Sequence, residues 1–211
     1  KTKNDLKWEN LLEELQTFDN INTIKADLSD HGSIVSAIRQ SQPDEIYNLA
    51  AQSFVGASFQ QPILTADITG LGVLRVLEAI KDNAPDAKFY QASSSEMYGD
   101  YPGKKNENSP LIPRSPYGAA KVFGHHITNH YREAYNLFAC CGILFNHESP
   151  LRGLEFVTRK ITSTMARIKF KKTDVLKLGN IHARFSKRLS TIFLSFKIYA
   201  QILIFSSTVI S

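Results

Sequence analysis

Apolar positions along the chain follow two rhythms, short continuous or alternating runs and longer stretches that return every three to four residues. Residues 20–26 alternate (Ile21, Thr23, Ile24, Ala26) and end at Asp27, which predicts a strand whose carboxyl end meets a ligand. Ser29 or Asp30 then caps a helix with Ile34, Val35, Ala37 and Ile38 on one face, ended by Pro43. EIYNLAA at 45–51 and KFYQAS at 88–93 read as short buried strands. Between them Pro62 opens a long helix through Leu71, Val73, Leu74, Leu77 and Ile80. The stretch 99–115 is a loop rich in Pro, Gly, Asn and Lys, and Ser115 with Pro116 starts a helix that reaches about residue 135. A strand over 137–145 follows, then a helix over 153–170 striped by Val157, Ile161, Met165 and Ile168.

Strands alternating with helices of this length predict an α/β fold, a Rossmann-like doubly wound parallel sheet with helices on both faces. In such sheets ligands lie at the carboxyl ends of the strands, which here gathers Asp27, residues 48–53, 93–96 and 146–148. The strand and Gly-rich turn that begin a dinucleotide-binding sheet are missing, because neither G-x-G-x-x-G nor G-x-x-G-x-x-G occurs in the sequence. The opening KTKNDLKWENLLEEL is polar and has no signal-peptide core, so the chain reads as the interior of a longer protein.

Charge divides the chain. Residues 1–150 carry 13 Lys and Arg against 18 Asp and Glu, a net of −5, whereas residues 151–211 carry 12 against 2, a net of +10. The basic part lacks the aromatic interleaving of a nucleic-acid module, and no nucleic-acid partner is expected. Adjacent Cys140 and Cys141 cannot bridge each other usefully and are expected as buried thiols in a reducing, cytoplasmic compartment. No metal-ligand pattern is present.

The chemistry concentrates in two places. Tyr117-Gly-Ala-Ala-Lys121 sets a phenol and an ammonium four apart on one helix face, where the ammonium favours the phenolate and makes a base usable near neutral pH. Such a pair alone is weak. Some 20 residues upstream, Ser94-Ser95-Glu96 follows a predicted strand and adds hydroxyls and a carboxylate at its carboxyl tip. Redox at a sugar carbon would need a hydroxyl, Tyr, Lys and a nicotinamide to take the hydride; removing the proton beside the resulting ketone would need a second base, for which Glu96, two residues past Ser94, is the candidate. The blander readings are helix capping for residues 93–95, a surface charge for Glu96 and a helix cap for Asp27.

NLAAQSFV (48–55), FYQASSSEMYG (89–99), PRSPYGAAK (113–121), REAYNLFA (132–139), GILFNHESPLRG (142–153) and FVTRKI (156–161) resemble the GDP-mannose 4,6-dehydratase family, over about 27–183. The resemblance implies Ser94 as catalytic hydroxyl, Tyr117 as the base at the C4 hydroxyl, Glu96 as the base at C5, and Lys121 as holder of the cofactor ribose and tuner of Tyr117. It further implies an NADP site made by Asp27, Leu28, Leu49, Ala50, Ala51, Gln52, Ser53, Lys121, His147 and Arg152, with Asn146 near the substrate diphosphate. GDP-mannose would become GDP-4-dehydro-6-deoxy-mannose, a first step towards GDP-fucose, in a protein that is a homo-oligomer at full length. The alternatives are a non-catalytic truncated relic, in which the isolated chain turns over little, and a related nucleotide-sugar epimerase or dehydratase.

Departures from the family pattern are Ser94 for Thr, Phe54 for His, Leu64 for Tyr and Leu151 for Arg. Family-like text stops near residue 184, so residues 1–180 form a partial NADP-binding domain and 181–211 a divergent basic and apolar tail in place of a substrate domain. Residues 189–210 are long enough for a bilayer, but Lys197 near their middle would cost roughly 2.5–3.5 kcal/mol, so a membrane span is not expected.

Overall fold

The helix before the first strand shows how closely local chemistry sets the boundaries. In the computed structural model, which describes residues 22–146, 153–178 apart from 155 and 174, and 202–205, α1 spans His31–Ser41. Asp30 caps it by accepting Gly32 N at 2.9 Å, and Gln42 ends it with φ of 40° just before Pro43. Ile34, Ala37 and Ile38 are its buried face.

Then come β1 (Glu45–Asn48), α2 (Val55–Gln60) and α3, which combines Pro62–Thr65, a π-helical Ala66–Leu71 and Gly72–Asn83. They are followed by β2 (Lys88–Ser94), a 3-10 turn (Ser95–Tyr98), α4 (Pro116–Ala134), β3 (Ala139–Leu144), α5 (Val157–Lys169) and β4 (Ile202–Phe205). The sheet order is β3-β2-β1-β4. β1 runs parallel to β2, with Asn48 opposite Gln91, and parallel to β4, with Asn48 opposite Phe205.

Ile34 and Ile38 of α1, Ile46 of β1, Leu77 and Ile80 of α3 and Phe89 of β2 meet in one core. Tyr131 of α4 donates its hydroxyl to Glu78 of α3, which also pairs with Lys81 at 2.6 Å. The long loop after β2 is drawn in by Tyr98, whose hydroxyl donates to Asn106 O at 2.9 Å. Gly99 turns there with φ of 52°, and a Cβ on it would run into the Ile112 carbonyl.

The structure corrects several expectations. Residues 22–26 are not a strand, and 20–21 lie outside the described residues. Both edges of β1 are taken, by β2 and β4, so the segment before Asp27 has no ladder beside β1. The strand expected over 45–51 ends at Asn48, whose side-chain oxygen accepts Ala50 N at 3.3 Å and turns the chain. Helix α5 has no buried residue despite its apolar stripe. Cys140 is exposed and Cys141 half-buried, both free, because β3 is an edge strand among the described residues and its side chains stay accessible.

The chain separates into two units, residues 1–143 with 197–211 and residues 144–196. β4 comes from the tail yet belongs to the sheet of the first unit, with Leu49 N donating to Phe205 O at 3.0 Å. Among the described residues no helix is long and apolar enough to cross a membrane. Phe205 is buried, so Phe205→Ala should cost about 3 kcal/mol or more in urea unfolding of the whole chain. A loss under about 0.5 kcal/mol, the size of a surface effect, would show that β4 does not hold the sheet edge.

Candidate active site

Ser115 caps α4 by accepting Gly118 N at 3.0 Å, and Pro116 occupies the first turn, where its missing N–H costs nothing. This start fixes the rotation of α4, so that Tyr117 and Lys121, one turn apart, both lie on its buried side. Lys121 is only 4% exposed, and its ammonium donates to Ala92 O of β2 at 2.8 Å. The same Nζ lies 5.7 Å from the centre of the Tyr117 ring. Burial pulls the Lys121 pKa from 10.5 down to about 8.

Ser94 ends β2, and its hydroxyl accepts Glu96 N at 3.2 Å, which starts the 3-10 turn. A hydroxyl that accepts one bond still has a proton to donate. The turn is pressed on the first turn of α4: a Cβ on Gly118 would lie 2.8 Å from Glu96 O. Only glycine allows that approach, and it brings the Glu96 turn next to Tyr117. Desolvation by its surroundings, followed by the like charge of Asp100, raises the Glu96 carboxyl above its ordinary pKa.

The remaining expected residues divide by location. Leu49, exposed, and Ala50 and Ala51, buried, follow the carboxyl end of β1 with Gln52 and Ser53. Gln52 N donates to Thr69 Oγ1 at 3.0 Å, while Gln52 Oε1 is buried without a hydrogen-bond partner among the described residues. Leu28 packs in the core against Gly72, and its carbonyl accepts Arg75 at 3.0 Å. Asp27 is exposed, with its carboxylate accepting Ser29 N at 2.8 Å and Ser29 Oγ at 2.7 Å, bonds that lower its pKa. Asn146 is half-buried in the second unit, and His147 and Arg152 lie outside the described residues.

Residues that local sequence patterns do not single out hold these pieces together. The π-helical stretch of α3 touches three of them: Thr69 binds the Gln52 loop, Gly70 lies against Ala120 beside Lys121, and Gly72, which follows it, lies against Leu28. Its signal was visible as Gly70-Leu71-Gly72 inside an otherwise helical pattern.

The depressed Lys121 pKa has a consequence for stability. Between about pH 8 and 10.5 the unfolded chain holds the Lys121 proton and the folded chain does not, so folding gains stability as pH rises through that window. Relative to Lys121→Met, the native chain should gain about 3 kcal/mol at most across it, measured by urea unfolding at stepped pH. A constant difference would mean that Lys121 is not desolvated.

The family model described as GDP-mannose 4,6 dehydratase matches residues 1–186. GDP-mannose 4,6 dehydratase 2 of Arabidopsis thaliana is 53% identical over 162 residues, 75% of this chain and 43% of that protein. The Homo sapiens GDP-mannose 4,6 dehydratase is 50% identical over 163 residues, again 75% and 43%. The chain thus spans less than half the length of these curated relatives. RMD from Pseudomonas aeruginosa, solved in complex with NADPH, superposes with a TM-score of 0.66 at 25% identity, covering 72% of this chain and 52% of that one. A dTDP-glucose 4,6-dehydratase from Bacillus anthracis, 24% identical with a TM-score of 0.66 over 75% of this chain and 48% of its own, shares the fold. Matched over most of its length, with Tyr117, Lys121, Ser94 and Glu96 gathered at the carboxyl end of β2, the chain belongs to the GDP-mannose 4,6-dehydratase family.

Proposed function

We propose that this chain carries the acid–base half of a lyase that converts GDP-mannose to GDP-4-dehydro-6-deoxy-mannose with release of water. The observation that carries the reading is the meeting of a buried lysine, a tyrosine one turn away and a carboxylate-bearing turn at the end of one strand. Redox chemistry alone requires the first two. The third is what loss of water requires.

An NADP cofactor fits the residues present. Lys121 has used one of its three N–H bonds on Ala92 O, and Gln52 Oε1 is a buried acceptor lacking a donor among the described residues; together they suit the hydroxyl and amide groups of a nicotinamide nucleotide. Lys121 and residues 49–53 would hold that end, Asp27 and Leu28 the adenine end, with His147 and Arg152 assigned by resemblance. When bound, NADP supplies hydride uptake from the sugar and its return, leaving no net oxidation.

The chain's own groups do the rest. Tyr117 removes the proton of the C4 hydroxyl, assisted by the Lys121 ammonium and a hydrogen bond from Ser94. Glu96 removes the C5 proton, now acidic beside a carbonyl, and hydroxide leaves C6 as water after taking a proton. A proton later returns to C5. Because Glu96 must be ionised to act, its raised pKa places the acidic limb of the rate profile above the usual carboxylate range. Asn146 is assigned to the substrate diphosphate. We read the full-length protein as a cytoplasmic homo-oligomer, a reading that the free, unbridged Cys140 and Cys141 support for the compartment alone.

The test uses the chain in excess over GDP-mannose with NADP present, so that a single slow turnover is visible by mass spectrometry. Product lighter by one water should form and should vanish with Tyr117→Phe. Glu96→Gln should instead accumulate the 4-keto sugar that has kept its water. Equal loss of both steps in Glu96→Gln would exclude Glu96 as the base at C5.

A further inference from the structure

Three consecutive residues at the end of β2 each grip a different neighbour. Gln91 Oε1 accepts Asn48 Nδ2 at 2.8 Å across the β1–β2 pairing, and Gln91 Nε2 donates to Ala92 O at 3.2 Å. That carbonyl is the acceptor of the Lys121 ammonium. Ser93 Oγ lies 3.1 Å from Nδ1 of His125, one turn beyond Lys121 on α4. Asn48, Gln91 and Ser93 are all buried.

Polar side chains in the middle of a packed sheet are costly, and aliphatic chains of the same size would fill these positions without needing partners. A buried network whose members satisfy one another gives a fixed geometry in return. Here the geometry concerns one oxygen. A carbonyl offers two lone pairs; Gln91 binds Ala92 O alongside Lys121 and restrains the peptide at the point where β2 ends. The Ser93–His125 contact pins the next turn of α4 to the same strand, so the helix cannot slide along β2 and carry Lys121 away. On the far side, Asn48 Oδ1 accepts Ala50 N, which extends the connection to the loop of residues 49–53.

We propose that Asn48, Gln91 and His125 are positioning residues that fix the Ala92 carbonyl and the adjoining turn of α4, and through them the place of the Lys121 ammonium beside Tyr117. The proposal rests on the assignment of Lys121 to the site. It adds residues that reach the chemistry by holding Lys121 and, for Asn48, also by holding the loop of residues 49–53 through Ala50 N.

The experiment is an NMR titration of Lys121 in the whole 211-residue chain labelled at lysine, its signal assigned by loss in Lys121→Met. The native midpoint is expected at about 8. Asn48→Leu combined with Gln91→Met removes the Asn48–Gln91 pair together, so that neither amide is left facing an apolar partner, at the cost of the 3.3 Å bond from Ala50 N to Asn48 Oδ1. In that double variant Lys121 should gain water and its midpoint should rise by about one unit or more. His125→Leu should raise it likewise, and His125→Asn, which keeps a polar atom near the position of Nδ1, should restore the native value. A native midpoint in the folded double variant, or in folded His125→Leu, overturns the proposal for the residues replaced. If the double variant does not fold, His125→Leu against His125→Asn decides by the same readout. The titration uses no ligand and no turnover, so its outcome is separate from that of the GDP-mannose reaction.

Discussion

A lysine ammonium inside a protein must find an acceptor, and the bond from Lys121 to the Ala92 carbonyl is the contact around which this unit is arranged. It joins α4, which carries Tyr117, to the end of β2, which leads into the turn that carries Glu96. With the close approach of Gly118 to Glu96 O, it sets Tyr117 and Glu96 beside each other. The bond is short and buried, yet it leaves the ammonium two further donors, and desolvation keeps its proton affinity low. A lysine in this state is both a structural tie and a chemical group.

Helix α3 serves as the spine behind that contact. Its π-helical stretch shifts the register of the helix between Pro62 and Asn83, and Thr69, Gly70 and Gly72 thereby meet the Gln52 loop, Ala120 of α4 and Leu28. Three segments far apart in sequence are spaced by one helix. Small residues permit that close packing, since Gly72 already lies within 3.1 Å of Leu28 counted from the Cβ it lacks.

Much of this was legible in the residues. The Ser115 cap, Pro116, and the four-residue interval from Tyr117 to Lys121 are local signals, and they produced the helix with both residues on one side as expected; the burial of that side comes from packing against distant elements. EIYN and KFYQASS formed strands because apolar runs of that length bury well between helices. Other features depend on distant partners that no local pattern reveals. Residues 22–26 alternate like a strand but have no ladder, while Ile202–Phe205, inside the tail that matches no family text, does have one. The side-chain amides of Asn48 and Gln91 look like ordinary polar positions until the strand register sets them opposite each other. Cys140 and Cys141 lie in an apolar run, yet among the described residues their strand is an edge, and that was decided by the sheet order.

The chain belongs to the GDP-mannose 4,6-dehydratase family, and its structure brings the helix start that carries Tyr117 and Lys121 against the strand end that carries Ser94 and Glu96. The central claim is that Tyr117, Lys121 and Glu96 act on a single bound sugar, with Glu96 handling the proton at C5. Running the GDP-mannose reaction in heavy water measures this directly, because a proton removed at C5 is replaced from solvent. Product should carry a solvent deuterium at C5, and none should form when Glu96 is changed to Gln. Product whose C5 keeps its original hydrogen, or deuterium that still enters C5 without the Glu96 carboxylate, would contradict the claim.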